Sequence, residues 1–358
     1  MILGAGASWH YGYPTGEELV KSVIHYAKHV AELIKSGNFI TSDNLMATRY
    51  YEGQTSPIYM PEPIKVFVQL IAKCQILADK LTQVNPPVID YFLEKNPELQ
   101  EVGQLMIAWV LLSCEAKNKV RDDQSDWYRF LLYQLSLDCN SPKDLPENQI
   151  TFITFNYDIS LERHLYKSLK STEFFNSPDN YVDKFFDDTR FLHIYGQLNQ
   201  DYKTDLTEKE KKALENLNFE HDFEFIAAFD LAYKASQGIC TINNVNKTNN
   251  KETIKIAKQT LQYVNTVYIL GYGFDQSNNE LLNLKHTLGD QQKRVFFTNF
   301  EDNNIVNKRA SQLFFNTPER FMPIENPIQG QWKVPPYYEK STRSVYEALS
   351  KDFDLQTS

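Results

Sequence analysis

Two glycines two positions apart, Gly4 and Gly6, stand in MILGAGAS after a short apolar run and before a predicted helix. Glycines so placed let a backbone turn tightly and bring its N–H groups toward a phosphate, with the positive end of the following helix behind them. A strand-to-helix turn that binds nothing uses the same residues. The usual dinucleotide fingerprint asks for a third small residue at position 9, where Trp9 stands. It also asks for an acidic residue about 20 positions further on, at the end of a second strand. An ordinary Rossmann dehydrogenase is therefore not supported. A second cluster is TFNYD, residues 154–158, with Asn156 and Asp158 at the carboxyl end of a predicted parallel strand, where open α/β sheets bind ligands. Asp158 also suits the N-cap of the next helix, a role that leaves Asn156 unexplained. In LHIYGQL, His193 lies in an otherwise apolar strand shortly before Gly196. A lone strand histidine is commonly a packing residue, yet an imidazole near its ordinary pKa is also the side chain suited to accept a proton near neutrality. ILGYGFDQSNN repeats the strand-glycine-helix pattern with Gly271 and Gly273, and VFFTNF ends a strand at Asn299.

The elements that must position these residues are legible in the same stretches. MILG, QITFITFNYD, TRFLHIYGQL, NTVYILGYGFD and KRVFFTNF read as strands, most of them followed by helical patterns. Such alternation predicts an α/β fold, a Rossmann-like, mostly parallel sheet flanked by helices. It puts the polar and glycine-rich turns at one sheet edge. A helix is predicted from Thr15 to about Lys35, with Thr15 and Glu18 as a capping box. PEPIKVFVQLIAKCQILADKLTQ, PELQEVGQLMIAWVLLSCEAKNK and DWYRFLLYQLSL are further helices with no strand between them. The expected organisation is a sheet domain of residues 1–36 and 146–317, an inserted all-helical module at 37–145, and a peripheral tail at 318–358.

Composition narrows the function classes. The 358 residues carry a formal net charge of −9, which disfavours nucleic acid as the main ligand. Mean hydropathy is −0.47. No apolar run approaches a membrane span and no secretory signal opens the chain, so the expectation is a cytoplasmic protein without a membrane partner. Cys74, Cys114, Cys139 and Cys240 are far apart, with no C-x-x-C pair, so they cannot build a cysteine zinc ribbon and do not suggest a disulfide framework.

Taken in order, Gly-Ala-Gly-Ala-Ser, the Gly-x-Pro turn, Thr-x-Asn-x-Asp, His before Gly, the Gly271–Gly273 pair and the strand-terminal Asn299 resemble the sirtuin fold. The order looks most like the sirtuin-like NAD hydrolases of bacterial anti-phage defence, and it spans residues 1 to about 300. The resemblance implies that Gly4, Ala5, Gly6 and Ser8 hold the NAD pyrophosphate, with Pro14 and Thr15 of the next turn beside them. It implies that Asn156 and Asp158 contact the nicotinamide ribose and the attacking water, that His193 is the catalytic histidine, and that Gly271, Gly273 and Asn299 surround the adenosine half. NAD+ is then a substrate, and no metal is implied. The zinc ribbon of the deacylating sirtuins is missing, and GYPTGEE stands where they carry Asp-Phe-Arg. Both departures favour simple hydrolysis to nicotinamide and ADP-ribose. The alternatives are a protein deacylase, an ADP-ribosyltransferase and a non-catalytic NAD or ADP-ribose sensor. The resemblance further implies a homo-oligomer, kept silent through oligomerisation or through a regulatory partner such as a ring-forming ATPase or a phage-sensing protein.

Overall fold

A computed structural model describes residues 1–35, 62–117, 126–137, 139–176, 178–187, 189–215, 217, 222–240, 250–289, 293–314, 337–353 and 355. Its sheet is built from β1 (Ile2–Leu3), β2 (Phe152–Thr154), β3 (Phe191–His193), β4 (Thr266–Leu270), β5 (Arg294–Thr298) and β6 (Tyr337–Ser341). All five pairings are parallel, and the spatial order is β3-β2-β1-β4-β5-β6. The fold is α/β and Rossmann-like. Parallel strands are covered on both faces, so their side chains read as continuous apolar runs. Phe152, Ile153, Val267, Ile269, Val295, Phe296 and Phe297 are accordingly buried.

The shortest strand is central. Ile2 pairs with Ile153 on one side and Ile269 on the other, and the amide of Phe155 donates to Leu3 O at 3.0 Å. Two residues suffice because both neighbours hold them. Strand order reverses at β1: the chain first steps outward through β2 and β3, then returns to the other side of β1 with β4. The crevice outside the carboxyl ends of β1 and β4 is the topological switch point where doubly wound sheets bind ligands.

The chain divides into two units, one of Met1–Tyr11, Val120–Ile194 and Val245–Ser358, the other of Gly12–Lys119 and Tyr195–Asn244. These boundaries differ from the expected ones. The helix Gly16–Lys35, expected with the sheet, belongs to the helical unit, and so does the stretch 195–244. The helix Trp127–Leu137, expected in the helical module, belongs to the sheet unit. Periodicity reveals that a helix has an apolar face, but not which partner covers it. Part of the expected tail joins the sheet at its edge. Residues 337–341 form β6, paired with β5 from Arg294↔Tyr337 to Thr298↔Ser341. Glu339 and Lys340 are tolerated there because β6 is the edge strand. The part of the expected tail from 318 to 336 lies outside the described residues, as does most of the polar stretch 37–60.

The helical unit is centred on Gln100–Lys117, buried on nearly every side between Val102 and Ala116. Trp109 packs against Phe225 with ring centroids 5.6 Å apart, and Gln104 Nε2 donates to Ile239 O at 2.7 Å. No helix among the described residues is long and apolar enough to cross a membrane.

Candidate functional site

The turn after β1 and the turn after β4 are pressed backbone against backbone. Gly4 N donates to Leu270 O and Gly6 N to Gly271 O, each at 3.0 Å. A Cβ on Gly4 would stand 2.6 Å from Gly271 O, and Gly271 itself has φ +59. The glycines are therefore required first by the packing of one turn on the other. The amides of Gly4, Gly6 and Ala7 are already engaged with Leu270, Gly271 and Gly4 carbonyls, so they do not form the open phosphate cradle that spacing alone suggests. Gly271 N in turn donates to Thr298 Oγ1 at 2.8 Å.

Asn156 stands over this junction. Its Nδ2 donates to Gly4 O at 3.1 Å and to Ser8 Oγ at 3.0 Å. A carbonyl oxygen only accepts, so the amide nitrogen must face Gly4 and the side-chain orientation is fixed by chemistry. Both Nδ2 hydrogens are thereby engaged, and Oδ1 is left as the acceptor this residue can offer. Ser8 Oγ passes its own hydrogen to Asp158 Oδ1 at 3.2 Å. The same oxygen of Asp158 accepts from Ser160 N at 3.2 Å and from the Ser160 hydroxyl, which pairs at 2.6 Å with the hydroxyl of Tyr128. Asp158 is buried, and burial pushes its carboxyl above the usual carboxylate range against the opposing hydrogen bonds from Ser160 and Ser8. The helix Trp127–Leu137 closes the cluster from behind: Trp127 Nε1 donates to Ala7 O at 2.8 Å.

His193, the last residue of β3, is 7% exposed. Its Nδ1 meets the main-chain oxygen of Asn156 at 2.9 Å, and its Nε2 meets Glu162 Oε1 within the helix Ser160–Ser171. The carbonyl requires a hydrogen on Nδ1, and the carboxylate takes the one on Nε2, which describes an imidazolium paired with Glu162. Burial pulls the imidazole pKa down, but the Glu162 charge and hydrogen bond and the Asn156 carbonyl outweigh it, so the net shift is upward. In this arrangement neither ring nitrogen presents a lone pair to the crevice, so the proton-accepting role expected of His193 would require its pair with Glu162 to open.

The expected residues thus separate into groups. Gly4, Gly6, Ser8, Asn156, Asp158, His193 and Gly271 are joined by direct bonds or backbone contact, and Ala5 lies within the first turn. Gly273 follows in the β4 turn, its carbonyl accepting from Arg309 Nη1 at 3.2 Å. Asn299 is buried at the end of β5 and engaged locally: Nδ2 donates to Asn303 O at 3.0 Å and Asn307 Oδ1 at 2.8 Å, while Oδ1 accepts from Asn303 N at 3.1 Å. Pro14 and Thr15 belong to the helical unit. There Glu18 Oε2 accepts from Thr15 N at 2.8 Å and Thr15 Oγ1 at 3.0 Å, closing a capping interaction at the start of Gly16–Lys35.

Glu162, Ser160 and Tyr128 are the members of this cluster that sequence reasoning missed. Glu162 had a signal: it lies between Leu161 and Leu165 on a helix whose apolar face covers the sheet, and a carboxylate there is uncommon unless paired. Tyr128 had none, since its helix was assigned elsewhere. The four cysteines form no disulfide. No protein-family model, no curated protein and no solved structure matches the chain.

Proposed function

We propose that the sheet unit binds NAD+ at the β1–β4 switch point and hydrolyses its nicotinamide–ribose bond, as an NAD-depleting effector held in check by self-association or a partner. The observation that carries the reading is Asn156, whose amide is held by Gly4 O and Ser8 Oγ so that Oδ1 is directed away from both. The Rossmann-like strand order supports it, as does the resemblance of the ordered motifs to the sirtuin-like hydrolases.

Nicotinamide leaves NAD+ as a neutral molecule, taking the electron pair of the C–N bond, so no acid is needed to protonate it. The ribose carbon then carries oxocarbenium character, as in other glycosyl transfers. Asn156 Oδ1 accepts a hydrogen bond from the attacking water or a ribose hydroxyl and orients it. Asp158 contributes negative charge close to the developing cation. Water adds to the ribose carbon and its surplus proton passes to solvent, giving nicotinamide, ADP-ribose and one proton.

The test is nicotinamide and ADP-ribose release from NAD+ by the purified full chain, with Asn156→Ala beside it. Release by the wild type and its loss in a folded Asn156→Ala variant are expected. Equal turnover by both proteins would remove Asn156 from the mechanism. A second reading, a non-catalytic NAD or ADP-ribose sensor, is favoured by the engagement of both His193 ring nitrogens. Calorimetric binding of NAD+ with no product from either protein would select it.

A further inference from the structure

We propose that Glu162 is a positioning residue of this site: it holds His193 so that the imidazole, through the Asn156 carbonyl, fixes the turn that aims the Asn156 side chain. The proposal rests on the hydrolase reading for its consequence in catalysis, and on geometry for its structural part. Its premise is that His193 works through Asn156 and exchanges no proton with the substrate.

The chain of contacts is continuous. Glu162, 5% exposed, meets Nε2 of His193, and Nδ1 of the same ring meets the main-chain oxygen of Asn156 at 2.9 Å. The main-chain amide of Asn156 donates to Thr154 Oγ1 at 3.0 Å, and its side chain spans Gly4 O and Ser8 Oγ. Every polar atom of Asn156 except Oδ1 thus has a partner among Gly4, Ser8, Thr154 and His193. One anchor, the imidazole, is held on its far nitrogen by a buried carboxylate. A buried ion pair contributes little net stability against an apolar replacement, but removing one partner leaves the other uncompensated. Its value here is directional: the pair sets which way the ring faces.

The groups whose charge bears on His193 are Glu162 on the helix and Asp158 on the β2 turn, with the Tyr128 hydroxyl adjoining Asp158 through Ser160. A positioning imidazolium and a general-base imidazole predict opposite pH profiles. If His193 positions the turn as a cation, nicotinamide release falls as pH rises through its native pKa. If it accepts a proton from the substrate, release rises through the same midpoint. Glu162→Gln keeps the shape and removes the charge, so the falling limb should move to lower pH by about 1–3 units.

Two sets of measurements on folded wild type and Glu162→Gln decide the matter. The first is the pH profile of nicotinamide release. The second is the imidazole ¹⁵N spectrum of His193, identified by its loss in His193→Gln, together with hydrogen exchange of the Asn156 side-chain amide. The expected results are an imidazolium in wild type near neutral pH, a neutral ring in Glu162→Gln, and Asn156 amide exchange about tenfold faster in the variant. A neutral His193 in wild type, a rising pH limb, or unaltered Asn156 exchange in Glu162→Gln would overturn the proposal. Should wild type release no nicotinamide at any pH, the hydrolase reading fails, and the spectrum and exchange rates still judge the Glu162 role.

Discussion

Gly271→Ala tests whether the two glycine turns are locked backbone to backbone. The native residue has φ +59, and a Cβ there would stand 2.1 Å from Ala7 N and 2.3 Å from Gly6 C. Neither neighbour is the end of a flexible side chain, so neither can rotate away. The left-handed conformation costs a residue with a Cβ about 1–2 kcal/mol, and overpacking against fixed atoms about 1–3 kcal/mol more, for a loss of about 2–5 kcal/mol. Gly273→Ala is the matched control, because the nearest atom to its Cβ is Arg309 Nη1 at 4.0 Å. It should change stability by less than about 1 kcal/mol, since only the unfolded chain's freedom is altered. Urea unfolding followed by tryptophan fluorescence reads both, and Trp127, bonded to Ala7 O, reports directly on the affected turn. If the two alanine variants unfold at the same midpoint, the argument that Gly4, Gly6 and Gly271 exist for mutual packing is wrong.

Three other outcomes follow from the same contacts. Asn156→Asp removes both Nδ2 donors, sets a carboxylate against Gly4 O, and should cost about 1–3 kcal/mol in the urea midpoint together with loss of nicotinamide release. His193 and Asp158 both hold their protons more tightly in the folded chain, above the ordinary 6.5 and 3.8 respectively. The folded state therefore binds more protons than the unfolded one, so their stabilising contribution is full below those ordinary values and is lost as pH rises through the native ones. Urea unfolding should accordingly show lower stability at about pH 9 than at about pH 6, with a smaller difference in Glu162→Gln. Ending the chain before Tyr337 removes β6 and leaves the apolar strand Arg294–Thr298 as an open edge, so light scattering after size-exclusion chromatography should show aggregation where the full chain shows none.

Much of the sheet can be read directly. The apolar, β-branched runs at Phe152–Thr154, Thr266–Leu270 and Arg294–Thr298 are strands because a parallel sheet buries both faces, and that burial is written in composition. β6 was not legible, because an edge strand with Glu339 and Lys340 carries no such run. Helix membership was not legible either, as Gly16–Lys35 and Trp127–Leu137 show.

What the sequence by itself determined is the alternation of strands and helices and the polar and glycine-rich turns at strand ends, since both follow from local patterning along the chain. What only the tertiary structure decided is which atoms those turns present. The glycines that suggest a phosphate cradle serve to seat one turn against another, and the histidine that suggests a base is paired on both nitrogens. The partner responsible, Glu162, lies 31 positions from His193, a distance over which no local pattern records a contact. Hydrogen bonds between strand ends depend on register and crossover, and those are properties of the folded sheet.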